Sequence, residues 1–200
     1  MGAVGILGGT FDPVHVGHLA LAEAAREGLG LARVHFVVAA QPPHKSRRPI
    51  TAAEHRWRMV ALATHDTPHF LACRCELDRQ GPSYTIDTVR DFTRRYPAAR
   101  LHLILGSDAL LELDTWREPQ ALLGLVTVVV AVRPGTDRRA VSARLRAVDG
   151  VLLELMAPDV SATEVRSRIA AGLSVDGLVP PSVVDYIARR GLYSASQAPG

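Results

Sequence analysis

Two hundred residues, 48% hydrophobic and 22% charged, are enough to bury a sizeable core, and they exclude a disordered or fibrous chain. The balance of 23 basic against 20 acidic side chains leaves +3, too slight a surplus for a general nucleic-acid or membrane partner, so basic chemistry must be local. Of those cations 22 are Arg and one is Lys, at position 45.

Apolar runs of strand length alternate with amphipathic segments of helix length. Residues 3–7 form the first run, and 16–29 follow as a helix that ends in the Gly28 to Gly30 stretch. A second run, 34–39, precedes a helix opening at Thr51, where Glu54 three residues on predicts a capping box. The run 70–77 places Cys73 and Cys75 on one strand face with Leu71 and Leu77, which reads as two small core residues and excludes a disulfide scaffold. Helix 84–96, strand 101–105, helix 114–123, strand 125–132, helix 137–148, strand 151–155 and helix 161–171 continue the alternation. Pro180 and Pro181 open a last helix over 182–190, and 194–200 reads as a frayed, disordered tail.

Continuous Val, Ile and Leu runs are how strands buried on both faces of a parallel sheet look. The predicted fold is therefore α/β, a doubly wound, mainly parallel sheet with helices on both faces, built as a single domain over 1–193 with a helical portion from about 158. In such sheets ligands bind beyond the carboxyl ends of the strands, where the strand order reverses. No charged, apolar leader precedes the first strand and no apolar run approaches the roughly 18 residues of a membrane span, which predicts a cytoplasmic protein with no membrane partner.

The loop after the first strand reads Gly8-Gly9-Thr10-Phe11-Asp12-Pro13-Val14-His15-Val16-Gly17-His18-Leu19. Two glycines let the backbone turn and approach a ligand closely, but the spacing is that of neither G-x-G-x-x-G nor a Walker loop. His15 and His18 stand three apart at a helix start and share a face, with Gly17 removing any side chain between them. There they suit phosphate oxygens, with a metal pair or ordinary surface histidines as the alternatives. Near the other end Ser161 and Glu164 spell a capping box, while Ser161, Thr163 and Arg166 together spell a polyphosphate clamp, and spacing does not choose between the two. Lys45, behind Pro42-Pro43, reads as a point-charge phosphate contact or a chance survivor. Tyr84 and Thr85 open a helix, Gly106 and Asp108 follow the fourth strand, and Trp116 is either a core residue or a ring for stacking on a flat heterocycle.

Together these stretches resemble the bacterial nicotinate-nucleotide adenylyltransferases, in the nucleotidyltransferase superfamily marked by His-x-Gly-His. The match spans almost the whole chain. G-G-T-F-D-P-V-H-V-G-H-L over 8–19 is highly specific for adenylyltransferases of this kind, and 160–166 resembles the family's second motif, commonly I-S-S-T-x-I/V-R, with Ala162 replacing its usual second serine. Pro42-Pro43-His44-Lys45, Ser83 to Thr88, Gly106-Ser107-Asp108 and Trp116 narrow the likeness to the nicotinate branch.

The resemblance implies transfer of AMP from ATP to nicotinate mononucleotide, giving nicotinate adenine dinucleotide and pyrophosphate on the way to NAD. It implies His15 and His18 as the catalytic pair on the ATP phosphates, with Gly9, Thr10 and Phe11 beside them and Ser161, Thr163 and Arg166 on the β- and γ-phosphates. Gly106 and Asp108 fall near the adenosine ribose; Lys45, Tyr84, Thr85 and Trp116 fall on the mononucleotide side. Mg²⁺ is expected to ride on the ATP phosphates without a metal site of protein ligands. The competing readings are a nicotinamide-preferring sister, the phosphopantetheine adenylyltransferase, which usually runs Thr-Asn-Gly-His, and a nucleotide sensor without turnover. A nucleic-acid partner is not expected, because Arg94, Arg95, Arg138, Arg139, Arg144 and Arg146 lie among acids as a solvated surface would; a homo-oligomer is left open.

Overall fold

The computed structural model describes residues 2–41, 50–132, 137–154 and 160–194. Lys45, Leu155 and the tail beyond Ser194 therefore lie outside the described residues. Among those described, six parallel strands form one sheet in the order β3-β2-β1-β4-β5-β6: β1 Ala3–Gly9, β2 Leu31–Val38, β3 Phe70–Cys73, β4 Leu101–Gly106, β5 Thr127–Val132 and β6 Val151–Glu154. The chain leaves β1 in one direction and returns to β4 on its other side, so the order reverses between these two central strands.

Helices cover both faces. On one side α1 (Val16–Leu29), α2 (Ala53–Thr64), α7 (Ala162–Ala170) and α8 (Pro181–Arg190) pack with Leu7, Val34, Phe36, Val38 and Ile104. On the other, α3 (Thr85–Arg95), α4 (Ser107–Leu111), α5 (Pro119–Leu123) and α6 (Arg138–Ala147) enclose Val4, Ile6, Leu103, Val128 and Val130. Alternate residues of one strand thus serve opposite layers, which is why these strands read as unbroken apolar runs. The doubly wound parallel fold is the one expected.

Several local expectations are corrected. Strand β1 continues through the glycines, with Gly8 and Gly9 registered beside Val37 and Val38. Strand β3 stops at Cys73, and Cys75 sits in the turn that follows; both thiols are buried in the α3 layer, whereas Leu77 packs in the opposite one. The Thr51–Glu54 capping box does not form: α2 is capped at Ala52 without a side-chain bond, and the Thr51 N–H faces the Asp12 carboxylate instead, at 3.5 Å. The expected helix over 114–123 is broken, because Pro119 cannot continue a helix and starts a new one as its first residue, after a short 3₁₀ turn at Leu113–Thr115. Helix α4 was not anticipated.

Two histidines lie inside strands. His35 in β2 is buried, its Nε2 3.1 Å from the Tyr96 hydroxyl. Burial, with the nearby Arg33 and Arg95, holds it down to about 4. Burial likewise lowers His102 in β4.

Candidate active site

The loop from β1 to α1 lies at the sheet's carboxyl edge beside the point of reversal. His15 caps α1 with extended backbone and His18 is the third residue of the helix. The His15 N–H donates to His18 Nδ1 at 3.2 Å, and the two rings stack with centroids 3.6 Å apart. A ring whose Nδ1 accepts carries its proton on Nε2, so this bond sets His18 as an Nε2–H donor when neutral. Gly17 leaves room for the stacked ring, since a Cβ there would stand 3.1 Å from His15 Nδ1, a tight contact that would press the ring aside by a few tenths of an ångström.

Phe11 adopts φ +50, a left-handed conformation that costs an ordinary residue of order 1 kcal/mol. Its ring is buried, edge-on to His18 at 4.9 Å and tilted against Phe36 at 5.9 Å. Gly9 must lack a side chain for this, because a Cβ would meet the Phe11 ring at 2.9 Å; at Gly8 a Cβ would meet open space.

The second motif comes onto the same loop. The Ser161 hydroxyl accepts from the Glu164 N–H at 3.1 Å, capping α7. Arg166 donates through Nη2 to Thr163 Oγ1 at 3.1 Å and through Nη1 to the Asp12 carbonyl at 2.7 Å, so the starts of α1 and α7 share one edge. Capped helix and first-turn cluster thus coexist in one segment. The structure brings together His15, His18, Gly9, Thr10 and Phe11 with Ser161, Thr163 and Arg166.

Gly106 caps α4 at the end of the neighbouring strand β4, with Asp108 exposed on the first turn. Tyr84, Thr85 and Trp116 gather on the α3 side: Tyr84 caps α3 and Thr85 begins it, while Tyr84 and Trp116 lie half-buried against the layer of Ile86, Val89 and Phe92. The Arg117 guanidinium stands 4.7 Å from the Tyr84 ring centre.

Arg56 and Tyr193 are not among the residues expected at the site, and Ser83, within the expected stretch 83–88, takes a part of its own. Arg56, only 1% exposed, donates to the carbonyls of Thr51, Thr10 and Ala39 at 2.7 Å each and of Ala40 at 3.2 Å. Burial pulls its charged form down, and the Asp12 carboxylate works against that pull. Tyr193 donates its hydroxyl to Asp12 Oδ1 at 2.7 Å, and burial beside that carboxylate pushes the phenol well up. Ser83 accepts from the N–H groups of Ala40 and Gln41 at 3.0 and 3.2 Å, tying the loop after β2 to the start of α3. The readable sign of Arg56 was a charge among the buried positions of α2, in line with Met59 and Val60. Tyr193 gave no local sign.

A doubly wound sheet with two helix starts converging at its point of reversal defines an α/β protein of Rossmann-like architecture, whose open edge suits an anionic ligand. The chain belongs to the cytidylyltransferase-like family, whose pattern matches residues 6–168. A Moorella thermoacetica protein named probable nicotinate-nucleotide adenylyltransferase is 44% identical over 199 residues, covering 96% of this chain and 92% of its own. One of the same name from Thermus thermophilus is also 44% identical, over 95% of this chain and 98% of its own. Among solved structures, the Plasmodium falciparum nicotinic acid mononucleotide adenylyltransferase complexed with NaAD superposes with a TM-score of 0.77 at 16% identity, covering 96% of this chain and 98% of that one, a likeness of fold.

Proposed function

We propose that this protein transfers the adenylyl group of ATP to nicotinate mononucleotide, releasing pyrophosphate, as a cytoplasmic step in NAD synthesis. The observation that carries the reading is the stacked His15–His18 pair, fixed by the His15 N–H to His18 Nδ1 bond at a helix start and joined by Arg166. The names of the relatives supply the substrate pair.

In this reading His18 Nε2–H and His15 hold the ATP phosphates and stabilise charge developing at the α-phosphate. Gly9, Thr10 and Phe11 line the approach, and Ser161, Thr163 and Arg166 grip the β- and γ-phosphates. An oxygen of the mononucleotide phosphate attacks the α-phosphorus in line; a new P–O bond forms and the bond to the β-phosphate oxygen breaks, its electron pair leaving with pyrophosphate. The nucleophile is already an anion, so no general base is needed. Gly106 and Asp108 serve the adenosine ribose. Tyr84, Thr85 and Trp116, with Lys45, serve the mononucleotide, Trp116 stacking on the pyridine ring.

Among the described residues no group of three or more His, Cys, Asp or Glu side chains could hold a metal ion. The groups assigned to the phosphates are imidazole, hydroxyl and guanidinium, which suit phosphate oxygens. In this reading Mg²⁺ enters bound to ATP, where it would neutralise the phosphate charge. No helix among the described residues is long and apolar enough to cross a membrane, and two free buried cysteines suit a reducing compartment.

The test is pyrophosphate release from ATP and Mg²⁺ with nicotinate or nicotinamide mononucleotide. Release favouring the acid is expected; release only with the amide, or none with either, overturns the reading.

A further inference from the structure

Arg56 is charged and almost wholly enclosed, an arrangement that costs several kcal/mol unless its donors are met. They end on four carbonyl oxygens from three segments: Thr10 after β1, Ala39 and Ala40 after β2, and Thr51 before α2. Backbone hydrogen bonding joins the two strand-end loops at their roots, the Ala39 N–H donating to the Gly9 carbonyl at 2.9 Å, while Thr10 and Ala40 lie one residue further out, beyond the strand pairs. Each of the two strand-end loops is also gripped from a second direction. Asp12 is bound through its carbonyl by Arg166 and through its carboxylate by Tyr193, while Ser83 takes the N–H groups of Ala40 and Gln41.

We propose that Arg56 is a positioning residue for the transfer: it fixes the spacing between the loop after β1, which bears the histidine pair, and the loop after β2, which leads to the mononucleotide side. The inference rests on the function proposed above. A planar guanidinium can span carbonyls on separate segments, whereas the compact ammonium of Lys, with three donors at one point, cannot. In-line transfer depends on this spacing, since a misplacement of about 1 Å between reacting groups costs on the order of 100-fold in rate.

The test compares wild type with Arg56→Lys, and with Ser83→Ala, which frees the second loop from its other side without burying or removing a charge. For Arg56→Lys, kcat for pyrophosphate release is expected to fall on the order of 100-fold while the KM of each substrate moves less than about fivefold. For Ser83→Ala a fall of about fivefold in kcat is expected, with an unchanged KM for ATP. Amide hydrogen exchange in the substrate-free protein is expected to rise about tenfold or more over 10–12 and 39–41 in Arg56→Lys, and less elsewhere. A folded Arg56→Lys that keeps kcat within threefold, or shows no such local rise in exchange, overturns the proposal. So does an unaltered Ser83→Ala if the lysine variant does not fold. Wild type inactive with either mononucleotide sinks the functional reading instead, and the exchange comparison then still decides the role of Arg56.

Discussion

The helices that follow the first and the last strand of the sheet meet at one edge but build their starts from different chemistry. At α1 the cap and the third residue are both histidines, and the bond between them fixes a ring nitrogen for outside use. At α7 the cap is a serine whose hydroxyl accepts from the Glu164 N–H and keeps its own proton to donate, while the guanidinium of Arg166 reaches the loop before α1. A helix start can thus be fixed wholly by groups that would also meet a ligand, or by a cap that shares that task with a separate cation. Where they coincide, a substitution should cost chemistry more than stability.

The largest break in this comparison is expected from His18→Ala, which removes the acceptor for the His15 N–H together with the phosphate donor. Its kcat/KM for ATP should fall on the order of 100-fold in a pyrophosphate-release assay, and a loss within threefold would remove His18 from charge stabilisation. A histidine within a strand sharpens the contrast. His35 sits at about 4 in the fold, against an ordinary 6.5, so between those values the unfolded chain binds more protons. Its contribution is complete above about 6.5 and is lost as pH falls through 4, a difference of up to about 3 kcal/mol readable in urea unfolding at pH 7, 5.5 and 4. His35→Gln should flatten that slope while leaving turnover at neutral pH near wild type.

Arg166→Lys keeps the charge but cannot serve both the Asp12 carbonyl and the Thr163 hydroxyl, and kcat should drop about tenfold with a smaller change in melting temperature. The smallest effect is expected from Ser161→Ala. Loss of the cap costs about 1 kcal/mol, a melting shift of about 2–4 °C, with the KM for ATP raised no more than about threefold.

The same contrast explains how much was legible beforehand. Helix α1 and the six strands followed from unbroken apolar runs, the histidine pair from its place past the first strand, and Arg166 from its spacing to Thr163 on the first turns of α7, whereas the glycines expected past the strand end proved to lie within β1. Local spacing failed where a distant partner competed: Thr51 promised a capping box with Glu54, yet its N–H turns to a carboxylate 39 residues earlier. Arg56 and Tyr193 act through partners up to 46 and 181 residues away, beyond the reach of any short pattern. Trp116 was undecided between core and ligand edge, and the fold places it half-buried against the core layer.

The Tyr193–Asp12 bond has a bearing on how the site comes into being. Synthesis runs from the N-terminus, so the histidine-bearing loop leaves the ribosome 181 residues ahead of the phenol that fixes its aspartate. A nascent chain can pair β1 with β2 early, yet its nucleotide loop stays unfinished until the segment after α8 arrives. The last of the bonds that hold this loop therefore forms late in translation, well after the central strands are available to fold.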